Sequence, residues 1–359
     1  MAITRIDRLV AFQVLRLTLL VLAVVGVLSA LFLFIDNQHD VGTGQYSLSD
    51  ALWLALILLP TQLVQLMPIA ALLGALLGLG QLARENAWIV ARSVGVSPWR
   101  LALAAGGAGL FLAVVSLSAG EFINPSLTQW ADQWRAEAKG LDPDLAMGSV
   151  VWVRDGSRFV RVERPTRHTV HGGIDIFNVQ KDGSWTVLES IDHAKAATVL
   201  DDGNWKLNDI DHTQFSGRSV SRTHGKQIEL DGGMSSHVVS FASVDPDGLA
   251  MADIVKQIGF LRENGQQTQG LELSLYNRVS HACATVFLSM LAVAFLMGAQ
   301  RGGNGLNLAK GIGIGLVYFL ITRTVETGGS VYGWSAGVVA VSPLLLLGLV
   351  TSLAISRAR

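Results

Sequence analysis

Few residues in this chain stand at spacings that would let them do chemistry. Six of its eight histidines, His168, His171, His193, His212, His224 and His237, fall in one central stretch. None of them pairs at metal-ligand spacing, and no cysteine stands beside them. The one cysteine, Cys283, rules out an intrachain disulfide. No nucleophile, base and orienting group assemble into a recognisable catalytic signature. The nucleotide cradle Gly-x-x-x-x-Gly-Lys-Ser/Thr occurs nowhere, and the nearest run, Gly305 to Lys310, has the wrong spacing. The chain therefore does not hydrolyse ATP by itself, no cofactor or metal is implied on it, and an enzyme reading starts without support. Recognition is the chemistry that remains.

Three features could recognise something. In the segment Arg84 to Arg100, Asn86 caps a short helix, Ala87 to Val94, that Gly95 ends and Pro98 keeps from continuing. Its Trp88, Ile89 and Val90, flanked by Arg84, Glu85 and Arg92, suit docking into a groove on a soluble subunit, where an aromatic anchor supplies most of the affinity. The same helix could equally rest on lipid. Second, Arg278 enters an apolar span, and Arg323 with Glu326 lies about 15 residues up another, roughly 22 Å at 1.5 Å per residue. These cations either bind an anionic headgroup or pair and snorkel locally. Third, Gly74, Gly78 and Gly80, Gly106, Gly107 and Gly109, and Gly311, Gly313 and Gly315 resemble small-xxx-small seams, for close helix packing or for a sliding partner face.

Positioning these residues falls to a membrane architecture. Of 359 residues, 50% are hydrophobic and only 15% charged, against roughly 25% charged in soluble domains. Leu101 to Gly120, Val279 to Ala299 and Val331 to Ile355 are charge-free and long enough to cross hydrocarbon. Leu9 to Ile35 is a fourth span, Ala51 to Ala83 a fifth kinked by Pro60 and Pro68, and Leu308 to Gly329 a sixth interrupted by Arg323 and Glu326. Basic residues sit at one set of ends: Arg5 and Arg8, Arg84, Arg92 and Arg100, Arg301 and Lys310, Arg357 and Arg359. Asp36, Asp40 and Asp50 occupy a loop without Lys or Arg. The positive-inside rule then puts both termini in the cytoplasm and the large central insert outside. The first span lacks a small-residue cleavage site and is expected to stay as an anchor.

The insert reads as β. Asn124-Pro125 opens an amphipathic helix through Leu127, Trp130, Trp134 and Ala138. From Ser149 the period becomes two, with Asp155-Gly156, Asp182-Gly183 and Asp202-Gly203 as hairpin turns. Trp152, Phe159, Trp185 and Trp205 are candidate core residues of a sandwich, jelly roll or partial barrel. Met251, Ile254, Val255, Ile258 and Leu261 form the apolar stripe of a returning helix that ends at Asn264-Gly265. The expected organisation is spans one to three in 1–123, the β insert with its flanking helices in 124–265, and spans four to six in 266–359. No aromatic-interleaved basic tract suggests nucleic acid.

Met67-Pro68-Ile69-Ala70-Ala71-Leu72-Leu73-Gly74-Ala75-Leu76-Leu77-Gly78-Leu79-Gly80, the Gly95 to Trp99 turn and Val244-Asp245-Pro246-Asp247 together resemble the lipopolysaccharide export permeases of the LptF/LptG family, the LptG branch above all. The likeness runs along nearly the whole chain. It implies an inner-membrane, multi-pass subunit of an ABC-type exporter that extracts lipopolysaccharide, with six transmembrane helices and an inserted periplasmic β-jellyroll. It also implies a homologous partner permease, LptF, an ATPase dimer, LptB, that binds ATP and Mg, and a periplasmic bridge through LptC to LptA. A coupling helix of that family maps onto 86–94, and Arg135 and Arg278 match basic positions of relatives. Two departures stand out: Ala87 where relatives usually carry a glutamate, with Glu85 two residues earlier, and Leu33, His39 and Asp40 where some carry lysines. A membrane-anchored periplasmic binding or scaffold protein is the alternative class. An ion-coupled transporter would expect midplane carboxylates and helices broken at matching places in both halves.

Overall fold

The computed structural model describes residues 5–85, 93, 95–140, 151–155, 157–162, 169–182, 185–199, 205–216, 219–230, 246–263, 265–298 and 304–357. They group into two compact units: one of 1–39, 52–127 and 269–359, the other of 40–51 and 128–268.

In the first unit the long helices are α1 (Arg5–Asn37), α2 (Leu48–Arg84) and α3 (Pro98–Phe122). After the insert, with its own helices α4 (Asn124–Ala138) and α5 (Met251–Glu263), come α6 (Gln269–Gly298), α7 (Asn304–Val331) and α8 (Ala336–Arg357). Among the described residues five helices, α1, α2, α3, α6 and α8, are long and apolar enough to cross a membrane. The expected fifth span in chain order, Leu308 to Gly329, falls within α7, which is 28 residues long but carries Lys310, Arg323 and Glu326 and is not one of the five. Six spans were expected, and five helices meet the apolar criterion. Pro60 and Pro68 lie inside a single helix of 37 residues, about 55 Å long at 1.5 Å per residue against roughly 30 Å of hydrocarbon. An α2 of that length must tilt or extend into the interface.

Local sequence sets the helix starts. Ser47 N donates to Asp50 Oδ2 at 2.8 Å and Ser47 Oγ to the same oxygen at 2.5 Å, which ties off the start of α2. Ser97, in extended conformation, accepts from Arg100 N at 3.3 Å, and Pro98 fills the first turn of α3, where no backbone donor is needed. The buried core draws on α1, α2, α3, α6 and α8 through Val14, Leu72, Leu79, Leu101, Leu288 and Ile355, with alanines such as Ala75, Ala105 and Ala284 between them. Lipid tails are as apolar as leucine, so close van der Waals fit rather than water exclusion holds such helices together. Ser280 Oγ donates to Ala340 O at 2.8 Å and fastens α6 to α8.

In the second unit, β1 (Val151–Asp155), β2 (Arg158–Val162), β3 (Thr169–Asp182), β4 (Trp185–Val199), β5 (Trp205–Ser216) and β6 (Ser219–Leu230) form one antiparallel sheet in sequence order. Asp155 and Asp182 end β1 and β3, as the Asp-Gly signals imply; Asp202-Gly203 lies outside the described residues. A register shift between His171 and Ile174 coincides with Gly173 at φ +110, a conformation that favours glycine. Val160, Val162, Ile174, Ile176, Ala194, Leu207 and Ile210 are buried. Trp152, expected in the core, is 57% exposed and stacks on Phe177 at 5.6 Å. The buried set is aliphatic because β-branched and small side chains pack close on a pleated face. The described strands make one antiparallel sheet, each strand paired with its neighbour in sequence. Helix α5 ends as expected: Gln266 N bonds Leu261 O at 2.8 Å around Gly265 at φ +64.

Candidate functional site

The docking segment expected at 86–94 lies outside the described residues except for Ser93, so Asn86, Ala87, Trp88, Ile89, Val90 and Arg92 carry no structural statement. Its borders are described. Arg84 and Glu85 are exposed at the end of α2, where Gln81 Nε2 donates to Glu85 Oε1 at 3.2 Å. Gly95 sits at φ +82, in the left-handed region where glycine ends a helix without strain. Beyond it, Arg100 Nη2 lies 3.3 Å from Asp7 Oδ2, joining α3 to the first turn of α1 across 93 positions of sequence. Sequence reasoning used Arg100 only as a topology signal and missed this partner. No local periodicity could have paired the two.

The expected glycine seams separate cleanly by geometry. A Cβ on Gly74 would fall on the backbone of Thr18 in α1, and one on Gly78 would lie 2.9 Å from Gln13 O. These two positions set how near α1 and α2 approach. Gly80 has nothing within 4 Å of its Cβ position and takes no part. The same division recurs elsewhere. Gly106 and Gly109 face Met290 and Ser289 of α6, and Gly311 and Gly315 face Leu76 and Leu72 of α2, while Gly107 and Gly313 face open space.

Arg323 is 62% exposed on α7, 3.4 Å from Glu326 Oε2 and with its guanidinium carbon 5.6 Å from the Phe319 ring centre. Glu326, mostly buried, also lies 3.9 Å from His281 Nε2 on α6. The local pair at i,i+3 is therefore present, joined by a histidine that sequence reasoning passed over. Arg278 is half-buried one turn before His281 on α6.

Arg135 belongs to the other unit, near the end of α4. Asp40 Oδ2 lies 4.0 Å from Arg135 Nε and 2.8 Å from Lys139 Nζ. Lys139 was missed; it lies just past the end of α4, one turn beyond Arg135, where its backbone N still donates to Arg135 O at 3.1 Å. Across the sheet runs a row of ion pairs in register: Arg161 and His193 on Asp175 at 2.7 and 2.6 Å, then Arg222 and His224 on Asp211 at 2.7 and 2.9 Å. Lys195 meets Asp209 at 2.5 Å. His224 and Arg222 hold the Asp211 carboxyl below its ordinary value, and Lys195 does the same for Asp209, whose own carboxylate raises Lys195. Each of these histidines thus has a carboxylate partner, and among the described residues no group of three His, Cys, Asp or Glu could hold a metal ion.

Comparison with known proteins agrees with this frame. Two LptG proteins named lipopolysaccharide export system permease are similar to the chain: that of Haemophilus influenzae, 27% identical over 359 residues and 99% of each chain, and that of Escherichia coli K12, 24% identical over 331 residues and 91% of each. The model of the lipopolysaccharide export system permease LptF/LptG family matches residues 8–357. With long apolar helices before and after an antiparallel sheet in sequence, the chain belongs to the LptF/LptG family of lipopolysaccharide export system permeases.

Proposed function

We propose that the chain is the permease subunit of an ABC-type exporter that draws lipopolysaccharide out of the inner membrane and passes it to a periplasmic β-jellyroll bridge. The observation that carries this reading is the family match over residues 8–357, which takes in both sets of apolar helices and the sheet between them. The physics of the cargo explains why such helices are needed. Exposing hydrocarbon to water costs roughly 0.8 kcal/mol per CH₂, so one twelve-carbon tail would cost about 10 kcal/mol. The tails must pass from one greasy surface to another. Phe12, Leu19, Val27 and Phe32 on α1 and Ile312, Leu316 and Leu320 on α7 are exposed apolar side chains suited to that shelter.

Collapse of the shelter needs work, and the sequence holds no nucleotide motif to supply it. In this reading a separate ATPase, LptB, supplies the work through the helix at 86–94, and LptF completes the cavity. LptC and LptA receive the lipid by strand addition to the insert. Both termini then face the cytoplasm and the sheet faces the periplasm. Arg135, Arg278 and Arg323 are the proposed contacts to anionic headgroups.

Trp88→Ala and Gly95→Pro test the lever. Removing an aromatic anchor costs about 2 kcal/mol, roughly 30-fold in affinity, and proline cannot adopt the φ of +82 found at Gly95. Both variants are expected to insert normally while ATP hydrolysis proceeds without lipid release in proteoliposomes. Normal release by both would remove the lever from 86–94.

A further inference from the structure

Helix α1 is held unevenly along its length. In its first turn Asp7 accepts a two-pronged contact from α3, Arg100 Nε to Oδ1 and Arg100 Nη2 to Oδ2, both at 3.3 Å. A cation in the first turn of α3 opposes the helix dipole, and Asp7 offsets that cost. Two to three turns on, at Gln13 and Thr18, the α1 backbone rests directly on Gly78 and Gly74 of α2. Beyond Thr18 the hold weakens. The Gly26 position meets only the end of the Leu63 side chain, at 3.6 Å, and Val21 is the last large apolar side chain of α1 that is buried. Leu19, Val27 and Phe32 are 70%, 73% and 69% exposed. The α3 side of the Arg100 contact is stiff. Gly95 turns at φ +82, Val96 packs on the same buried core as Ile6, Ser97 caps α3 and Pro98 fixes its first turn. A displacement that enters α3 at Gly95 therefore reaches Arg100 with little slack.

We propose that α1 rocks as a beam: the Asp7–Arg100 pair drives its inner end, the seam at Gly74 and Gly78 is its fulcrum, and its exposed outer half is the arm that moves against lipid. Measured from Arg16, between the two seam contacts, Asp7 lies about 13 Å away and Asn37 about 31 Å away at 1.5 Å per residue. Movement at Asp7 is thus about doubled at the outer end, and reversed in direction. Backbone resting on backbone suits a fulcrum because neither side yields, whereas a side-chain end such as that of Leu63 gives way. Asp7 and Arg100 are positioning residues in this scheme and touch no lipid. The inference deepens the force-carrying role given to the segment at 86–94 and rests on that reading.

The test uses the full chain reconstituted with its partner permease and ATPase in proteoliposomes, and reads lipopolysaccharide transferred per ATP hydrolysed. Asp7→Asn and Arg100→Gln are each expected to lower that ratio about threefold to fivefold, the range open to a partly exposed ion pair, with insertion and ATP hydrolysis kept. Asp7→Arg combined with Arg100→Asp is expected to restore the ratio, because the exchange still leaves one acid and one base across the two helix starts. Loss in the single variants without rescue marks a merely structural role and overturns the proposal. An unaltered ratio in both single variants, while Trp88→Ala uncouples, overturns this inference alone. An unaltered ratio in Trp88→Ala as well removes the force reading of 86–94 and this inference with it. Spin-label distances supply a readout that needs no transport. With Cys283 replaced by Ala, labels at the exposed Leu9 and Leu103 report the inner ends of α1 and α3, and labels at the exposed Leu31 and Phe122 report the outer ends. Between nucleotide-free and ATP-trapped complexes the two distances are expected to change in opposite directions, the outer change about twice the inner, and to stay fixed in Asp7→Asn. Changes of the same sign mean that α1 moves as one body and overturn the fulcrum. Undiminished motion in Asp7→Asn overturns the drive through Arg100.

Discussion

The α1–α2 seam and the ionic row of the sheet hold neighbouring backbones in register by opposite means. At Gly74 and Gly78 the contact is made by leaving atoms out, so that one helix backbone rests directly on another. Across β2 to β6 the neighbours are tied by Arg161, Asp175, His193, Asp211, Arg222 and His224, each reaching a charge on an adjacent strand. The difference follows the solvent each arrangement suits. In hydrocarbon a charge is expensive and close packing is the available glue. In water the charges are cheap, individually weak and responsive to pH.

The largest expected effect is at the seam. Gly74→Val would drive a branched side chain into the Thr18 backbone, which cannot swing aside as a flexible side chain can. Overpacking of this kind costs about 1–3 kcal/mol or more, and a clear drop in thermal midpoint in detergent is expected. Gly80→Ala, six residues along the same helix and open to space, is expected to change stability by less than about 1 kcal/mol, in the favourable direction through helix propensity. Equal damage from both would abolish the distinction between the two glycines.

The sheet should respond to acid where the seam does not. Asp209 and Asp211 have lowered values in the folded chain, so their contribution is present above the ordinary aspartate value near 3.9 and is lost as pH falls through the lower folded values. Lys195 is raised, so its contribution is full below the ordinary lysine value near 10.4 and is lost as pH climbs through the higher folded one. Hydrogen exchange below about pH 4 is expected to speed up in β4 to β6 before it does so in α1 and α2. Simultaneous loss would show the row to be decoration.

A smaller effect is expected at the one described place where a cross-helix ion pair serves the first unit's helices α1 and α3. Asp7→Asn breaks the contact to Arg100, which is about one-third exposed. A loss of about 0.5–1 kcal/mol, shrinking at high salt, is expected from thermal unfolding. Salt independence would mean that the pair acts through hydrogen-bond geometry instead of charge.

The sequence shows readily what depends on composition or on near neighbours. Long apolar runs, four of them charge-free and one carrying Arg16, marked five helices, Asp155 and Asp182 marked strand ends, and Ser97-Pro98 marked the start of α3. What depends on angle or long-range register was hidden. Gly78 and Gly80 differ by two positions, about 200° around a helix, and only the placement of α1 decides which of them matters. His193 meets Asp175 only through a register that includes a bulge. Asp40 meets Arg135 across 95 positions, beyond any local pattern. Trp152 was misplaced because aromatic bulk suggests a core, whereas the pleat buries the aliphatic set.

The central claim is that this chain shelters lipid and carries force without generating it. The direct measurement is transfer of lipopolysaccharide from proteoliposomes to a soluble acceptor, with the permease pair reconstituted with and without a separate ATPase. Transfer that needs both the ATPase and ATP is the expected result. Sustained transfer from vesicles that hold the permease chains alone would contradict it.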